Sequence, residues 1–164
     1  MSAPATILVV DDDENDSRMT REALTPLAAG LQVCAVYDGV EALDYLYRRG
    51  AFQTREPGNP EVILLDLNMP RVDGWQALRQ IKSDPVLKAI PVVVFTSSAR
   101  DHDVMRCYEL GANAVVVKPI AFDEFTRTVR DIQAFWAGCN RPSPGAPAPT
   151  HEAGAPALSE KVTA

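Results

Sequence analysis

A chain of 164 residues, 46% hydrophobic and 23% charged, has the apolar bulk for one folded domain with an appendage, which excludes wholesale disorder. Its formal net charge of −6, with no basic cluster longer than Arg48-Arg49, excludes a dedicated nucleic-acid binder and suits metal cations or a basic partner. Cys34, Cys107 and Cys139 lie too far apart for metal-ligand or redox spacing, and their odd number argues against a disulfide framework. No apolar stretch approaches the ~18 residues of a membrane span, and residues 1–6 lack a signal-peptide pattern. The expectation is a cytoplasmic protein with no membrane partner and no second folded domain.

Taken in chain order, short apolar runs alternate with stretches of helical period. Ile7–Val10 reads as a strand that stops at Asp11-Asp12-Asp13, and Met19, Ala23 and Leu27 repeat as a helix stripe. Leu31–Val36 is the second strand; after Asp38-Gly39, the residues Val40, Leu43, Leu46 and Tyr47 form the next stripe. Gly50–Pro60 is a loop. Val62–Leu65 stops at Asp66 and is followed by the stripe Trp75, Leu78, Ile81. Val92–Phe95 stops at Thr96-Ser97; Val104, Cys107 and Leu110 follow, closed by Gly111 at a helix C-terminus. Val115–Val117 stops at Lys118-Pro119, and Phe122, Phe125, Val129, Ile132 and Trp136 make the longest stripe. Four of the strands are continuously apolar, as strands buried on both faces are, and strand-helix repetition predicts an α/β fold with a parallel sheet covered by helices on both sides. The folded unit is expected over residues 5–138. Residues 139–164, rich in proline and alanine, form an expected flexible tail.

Ligands in such a sheet gather outside the carboxyl ends of the strands. That rim collects Asp11, Asp12, Asp13, Asp66, Thr96, Ser97 and Lys118. Packed together, the carboxylates repel and raise one another's pKa values. A divalent cation relieves this, and hard oxygens with room for waters suit Mg²⁺. A carboxylate beside such an ion can attack phosphorus, with Lys118 and Thr96 placed to stabilise the phosphoryl oxygens. Asp11, Asp13, Asn15 and Glu22 also match an EF-hand loop, but Asp16 stands where that loop needs glycine. His102 reads as an exposed residue of a helix's first turn, and the cysteines as inert.

These residues resemble the receiver domain of two-component response regulators. The matching pieces are Ile7–Asp13, Leu64–Pro70 with Asp73-Gly74, Pro91–Ser97, and Gly111–Asn113 through Lys118-Pro119. The resemblance implies a flavodoxin-like, doubly wound five-stranded sheet of order 2-1-3-4-5 with five helices. It implies Asp66 as phosphoacceptor, Asp12 as a direct and Asp11 as a water-mediated Mg²⁺ ligand, the Asn68 backbone carbonyl as the third protein ligand, Thr96 as the switch hydroxyl, Lys118 as the phosphoryl partner, and a cis bond to Pro119. It further implies a sensor histidine kinase as partner, a downstream phosphotransfer or effector protein, and no catalysis beyond the protein's own phosphorylation and dephosphorylation. Asp38–Leu43, the long loop before the third strand, and Phe135-Trp136 resemble a subgroup of stand-alone regulators, many of which partner bacterial phytochromes. One departure is Val115, where the family often has Tyr or Phe three residues before the lysine. Two other readings are a haloacid dehalogenase-type phosphatase, which needs an aspartate where Asn68 stands, and a scaffold that is never phosphorylated. On a helical wheel Phe135 falls about a quarter-turn off the last stripe, so it is expected, with Trp136, to anchor a homodimer.

Overall fold

The computed structural model describes residues 4–24 and 30–144. Strands β1 (Thr6–Val10), β2 (Gln32–Val36), β3 (Val62–Leu65), β4 (Val92–Thr96) and β5 (Ala114–Val117) alternate with helices α1 (Glu14–Leu24), α2 (Gly39–Tyr47), α3 (Gly74–Ser83), α4 (Asp101–Glu109) and α5 (Phe122–Gln133). All strand pairs are parallel, in the order β2-β1-β3-β4-β5. The two-residue side-chain period of a strand sends alternate residues to opposite faces. Leu8, Val10, Ile63, Leu65, Val92 and Val94 pack with α2 and α3, whereas Ile7, Val9, Val62, Leu64, Val93 and Phe95 pack with α1 and α5. This two-sided burial is why β1, β3 and β4 read as unbroken apolar runs.

Local signals set the helix ends. Asp38 accepts the Glu41 N–H to cap α2, and Asp73 with Gln76 forms a reciprocal capping box at α3. Gly111, at φ +100°, follows α4 in the left-handed conformation that glycine adopts without strain.

The register positions the site. Val10 and Leu65 are paired, so Asp11 and Asp66 leave the sheet side by side, and the Asp66 N–H donates to the Val10 carbonyl at 2.9 Å. Thr96 pairs with Val117, which puts Lys118 at the same rim.

Some expectations need correction. β5 is continuously apolar yet not buried on both faces: like β2 it is an edge strand of the sheet, and Val115–Val117 are half-buried to exposed. Phe122 does not join the inward stripe of α5; as the first residue of the helix it is 60% exposed, while Phe125, Val129 and Ile132 are buried. Trp136 is only half-buried, packed at the edge of the core on a π-helical continuation of α5, Ala134–Cys139. The loop after α2 is not plain coil. A 3₁₀ turn, Gly50–Phe52, precedes Arg55, whose guanidinium stacks on Tyr45 at 4.1 Å from the ring centroid. Leu27 and residues 145–164 of the expected tail lie outside the described residues.

Candidate functional site

At the rim of the sheet Asp12, Asp66 and Lys118 line one polar cavity of about 480 Å³, and the buried Asp11 is bonded to Lys118. Lys118 is 6% exposed, and its Nζ donates to Asp11 Oδ2 at 2.7 Å and to Asp16 Oδ2 at 2.9 Å, standing 3.8 Å from Asp66 Oδ2. The other oxygen of Asp11 accepts the Asp13 N–H at 3.0 Å, and Asp66 Oδ1 accepts the Leu67 N–H at 2.9 Å. Behind Asp66, Gly74 donates to the Leu67 carbonyl at 2.8 Å. A side chain at Gly74 would run into the Asp66 carbonyl oxygen, so the helix that follows can lie this close to the acid only with glycine there.

Burial pushes the Asp66 carboxyl up to about 6; Lys118 opposes this and the neighbouring Asp11 charge adds to it. Burial also raises Asp11, against the pull of Lys118. For Lys118 burial acts downward, but its bond to Asp11 and the surrounding acids carry the ammonium above the usual lysine value. One carboxylate oxygen each from Asp11, Asp12 and Asp66 lie within 4.8 Å of one another. Three hard, mutually repelling oxygens at the mouth of an open polar cavity fit a hard divalent cation that keeps part of its water shell. Asn68 is exposed and lines the same cavity.

Thr96 ends β4 at the rim. It is buried, its hydroxyl accepts the Ser98 N–H at 3.2 Å, and the neighbouring Ser97 lines the cavity. The Lys118–Pro119 bond is trans: no cis peptide occurs among the described residues. Trans is the favoured isomer of an X-Pro bond by roughly 0.5–1 kcal/mol, and Lys118 reaches the acids in that form. Asp16 is a contact not expected from the sequence. It stands in the first turn of α1, three residues beyond Asp13, whose carboxylate accepts its backbone N–H at 2.9 Å. His102 is exposed in the first turn of α4, as expected. Cys107 is buried, Cys34 half-buried and Cys139 exposed. Phe135, 51% exposed, and Trp136 lie beyond the far end of α5, their rings edge to face with centroids 4.9 Å apart. At the position that departs from the family pattern, the Val115 N–H donates to the hydroxyl of Tyr108 on α4 at 3.3 Å.

Residues 7–130 match the family model described as the response regulator receiver domain. The chain belongs to this family. The receiver is 37% identical over 133 residues to response regulator Rcp1 of Synechocystis sp., covering 81% of this chain and 89% of that protein. A Mn²⁺-bound structure of Rcp1 superposes with a TM-score of 0.79, at 35% identity, over 85% of the receiver chain and 99% of that chain. The phosphorylated cyanobacterial phytochrome response regulator RcpA gives a TM-score of 0.81 at 36% identity, covering 87% of this chain and all (100%) of that one. The bacteriophytochrome response regulator RtBRR is 48% identical, with a TM-score of 0.68, over 87% and 86% of the two chains. The receiver is therefore related to phytochrome response regulators and shares their flavodoxin-like fold. Among the described residues no helix is long and apolar enough to cross a membrane.

Proposed function

We propose that this receiver is a stand-alone, cytoplasmic response regulator, spanning residues 5–138 with the tail at 139–164, that accepts a phosphoryl group on Asp66. The observation that carries the reading is the buried ammonium of Lys118 set 3.8 Å from an acid whose burial and neighbouring charges keep it strained. A carboxylate oxygen of Asp66 forms a bond to phosphorus while the P–N bond to the kinase's phosphohistidine breaks and the imidazole nitrogen keeps the electron pair. Lys118 offers its third N–H to a phosphoryl oxygen. Thr96, whose hydroxyl is tied only to the Ser98 N–H, turns to the phosphoryl group by rotation about one bond. Asp11, Asp12, Asp66 and the Asn68 carbonyl would hold Mg²⁺, which when bound neutralises the acids and the incoming phosphoryl charge. The donor is a sensor histidine kinase, and a bacteriophytochrome is proposed on the strength of the relatives named above.

The signal leaves by protein contact. Met105 and Tyr108 on α4, Val117 on β5, and Ile120 and Phe122 at the start of α5 are exposed apolar groups available to a downstream partner. We further propose a homodimer anchored by Phe135 and Trp136. Sedimentation of wild type and Phe135→Ala tests it, and a wild type that stays monomeric at high concentration, phosphorylated or not, refutes it.

Incubation with acetyl phosphate and Mg²⁺ tests the acceptor. A covalent, slowly hydrolysing adduct is expected on wild type and none on Asp66→Asn. Catalytic turnover of a phosphate ester would favour the phosphatase reading, against which stands Asn68; no adduct at all would favour a scaffold.

A further inference from the structure

Lys118 is the cation of the site, yet its two shortest bonds bypass the acid it is expected to serve. An ammonium has three N–H donors. One goes to Asp11 at 2.7 Å, a second to Asp16 at 2.9 Å, and Asp66 stands off at 3.8 Å. Asp11 belongs to the acid cluster at the strand ends. Asp16 does not: it comes from the first turn of α1, lines the cavity, and is anchored by its own backbone N–H to Asp13 Oδ1 at 2.9 Å. Among the described residues its carboxylate bonds Lys118 alone.

We propose that Asp16 is a brake on phosphorylation, a positioning residue that keeps Lys118 shared and adds a negative charge beside the entering phosphoryl group. The inference rests on the reading of Asp66 as the phosphoacceptor. Both Asp16 and Asp66 border the same ammonium, so their nearest oxygens are at most about 7 Å apart. At that separation, across an open and hydrated cavity whose effective dielectric approaches that of water, one unit charge alters a rate by about three- to tenfold. Phosphoryl transfer brings additional negative charge to Asp66. The carboxylate of Asp16 opposes that arrival while it holds an N–H of Lys118 elsewhere. The bland role is that of an acid in a helix's first turn, favoured by the helix dipole; that role predicts a change in stability and none in rate.

The test measures the rate of Asp66 labelling by acetyl phosphate at saturating Mg²⁺, with Asp66→Asn as the unlabelled control. In this step an Asp66 oxygen bonds to phosphorus, and acetate leaves with the electron pair of the broken P–O bond. Asp16→Asn keeps the shape and an acceptor for Lys118 but removes the charge. It is expected to be labelled about three to ten times faster than wild type, with the advantage shrinking as ionic strength rises. Asp16→Glu, which restores the charge, is expected to return the rate to near the wild-type value. Asp16→Ser repeats the charge removal with a residue tolerated near a helix N-terminus, should Asp16→Asn fold poorly. A wild type that labels while both neutral variants are no faster overturns this inference alone; a wild type that takes no label overturns the phosphoacceptor reading and this inference with it.

Discussion

Replacing Asp66 with asparagine is expected to make the metal-free protein more stable. The Asp66 carboxyl is pushed from 3.8 up to about 6, first by burial and then by the charges of Asp11 and Asp12. A raised acid binds its proton more tightly in the folded state, so between pH 4 and pH 6 the native protein holds a proton that the unfolded chain has lost. Stability from this group therefore grows as pH falls through that window and is absent above pH 6, where the charged carboxylate is a liability. A rise of about two pKa units corresponds to about 3 kcal/mol. The open mouth of the cavity lets solvent screen the charge, which halves that to about 1.5 kcal/mol. For a domain of this size the melting temperature should rise by about 4–6 °C. The assay is urea unfolding of both proteins in a chelator at pH 7.5 and at pH 4, with parallel thermal scans. The variant should lead at pH 7.5 and lose most of its lead at pH 4, where the wild-type acid has become protonated. Mg²⁺ should reverse the order at pH 7.5, because it stabilises the native state that binds it and Asp66→Asn lacks a ligand. An asparagine variant no more stable than wild type in chelator at pH 7.5, or a gap that does not change with pH, would refute the reasoning.

Gly74→Ala should cost about 2–3 kcal/mol and weaken Mg²⁺ binding in calorimetry, since the new methyl group meets the backbone of Asp66 and Leu67, which cannot yield without moving the acid. On α5, Phe125→Ala should lose about 3–5 kcal/mol in urea unfolding, because that ring is buried against Phe95 with centroids 5.2 Å apart. The neighbouring Phe122→Ala, at an exposed position, should stay within about 0.5 kcal/mol of wild type. Lys118→Met in chelator should lose about 3 kcal/mol, as it leaves the buried Asp11 carboxylate without its cation.

The central strands were legible because a strand buried on both faces has no room for polar alternation, and the runs at 7–10, 62–65 and 92–95 have none. Each run also ends on the residue type that the rim then presents. Edge position was not legible, which is why β5 misled: its composition is that of a central strand, but nothing in residues 114–117 says that no strand pairs beyond it. The wheel for α5 identified Phe125, Val129 and Ile132 and failed at Phe122, since helical period says which side a residue shares and not where the helix meets the sheet. In the site, strand ends gave away Asp11, Asp66 and Lys118. The Thr96 hydroxyl follows a rotamer set by the Ser98 N–H, and Asp16 depends on how α1 leaves β1; neither has a signature in local sequence alone.

Asp11 and Lys118 are 107 residues apart in the chain, and Asp66 comes from a third strand between them. Every strand pair that aligns them is parallel and closed through a crossover. Contacts of such long sequence separation form late in folding, after much loop-closure entropy has been lost. A nascent chain whose fifth strand has not docked already contains Asp66 and its short local turn, but no ammonium stands beside it. On the function proposed above, competence to receive a phosphoryl group is thus a property of the completed sheet and not of the acid. During synthesis, or after partial unfolding, the same aspartate is a carboxylate without the ammonium that the completed sheet sets beside it.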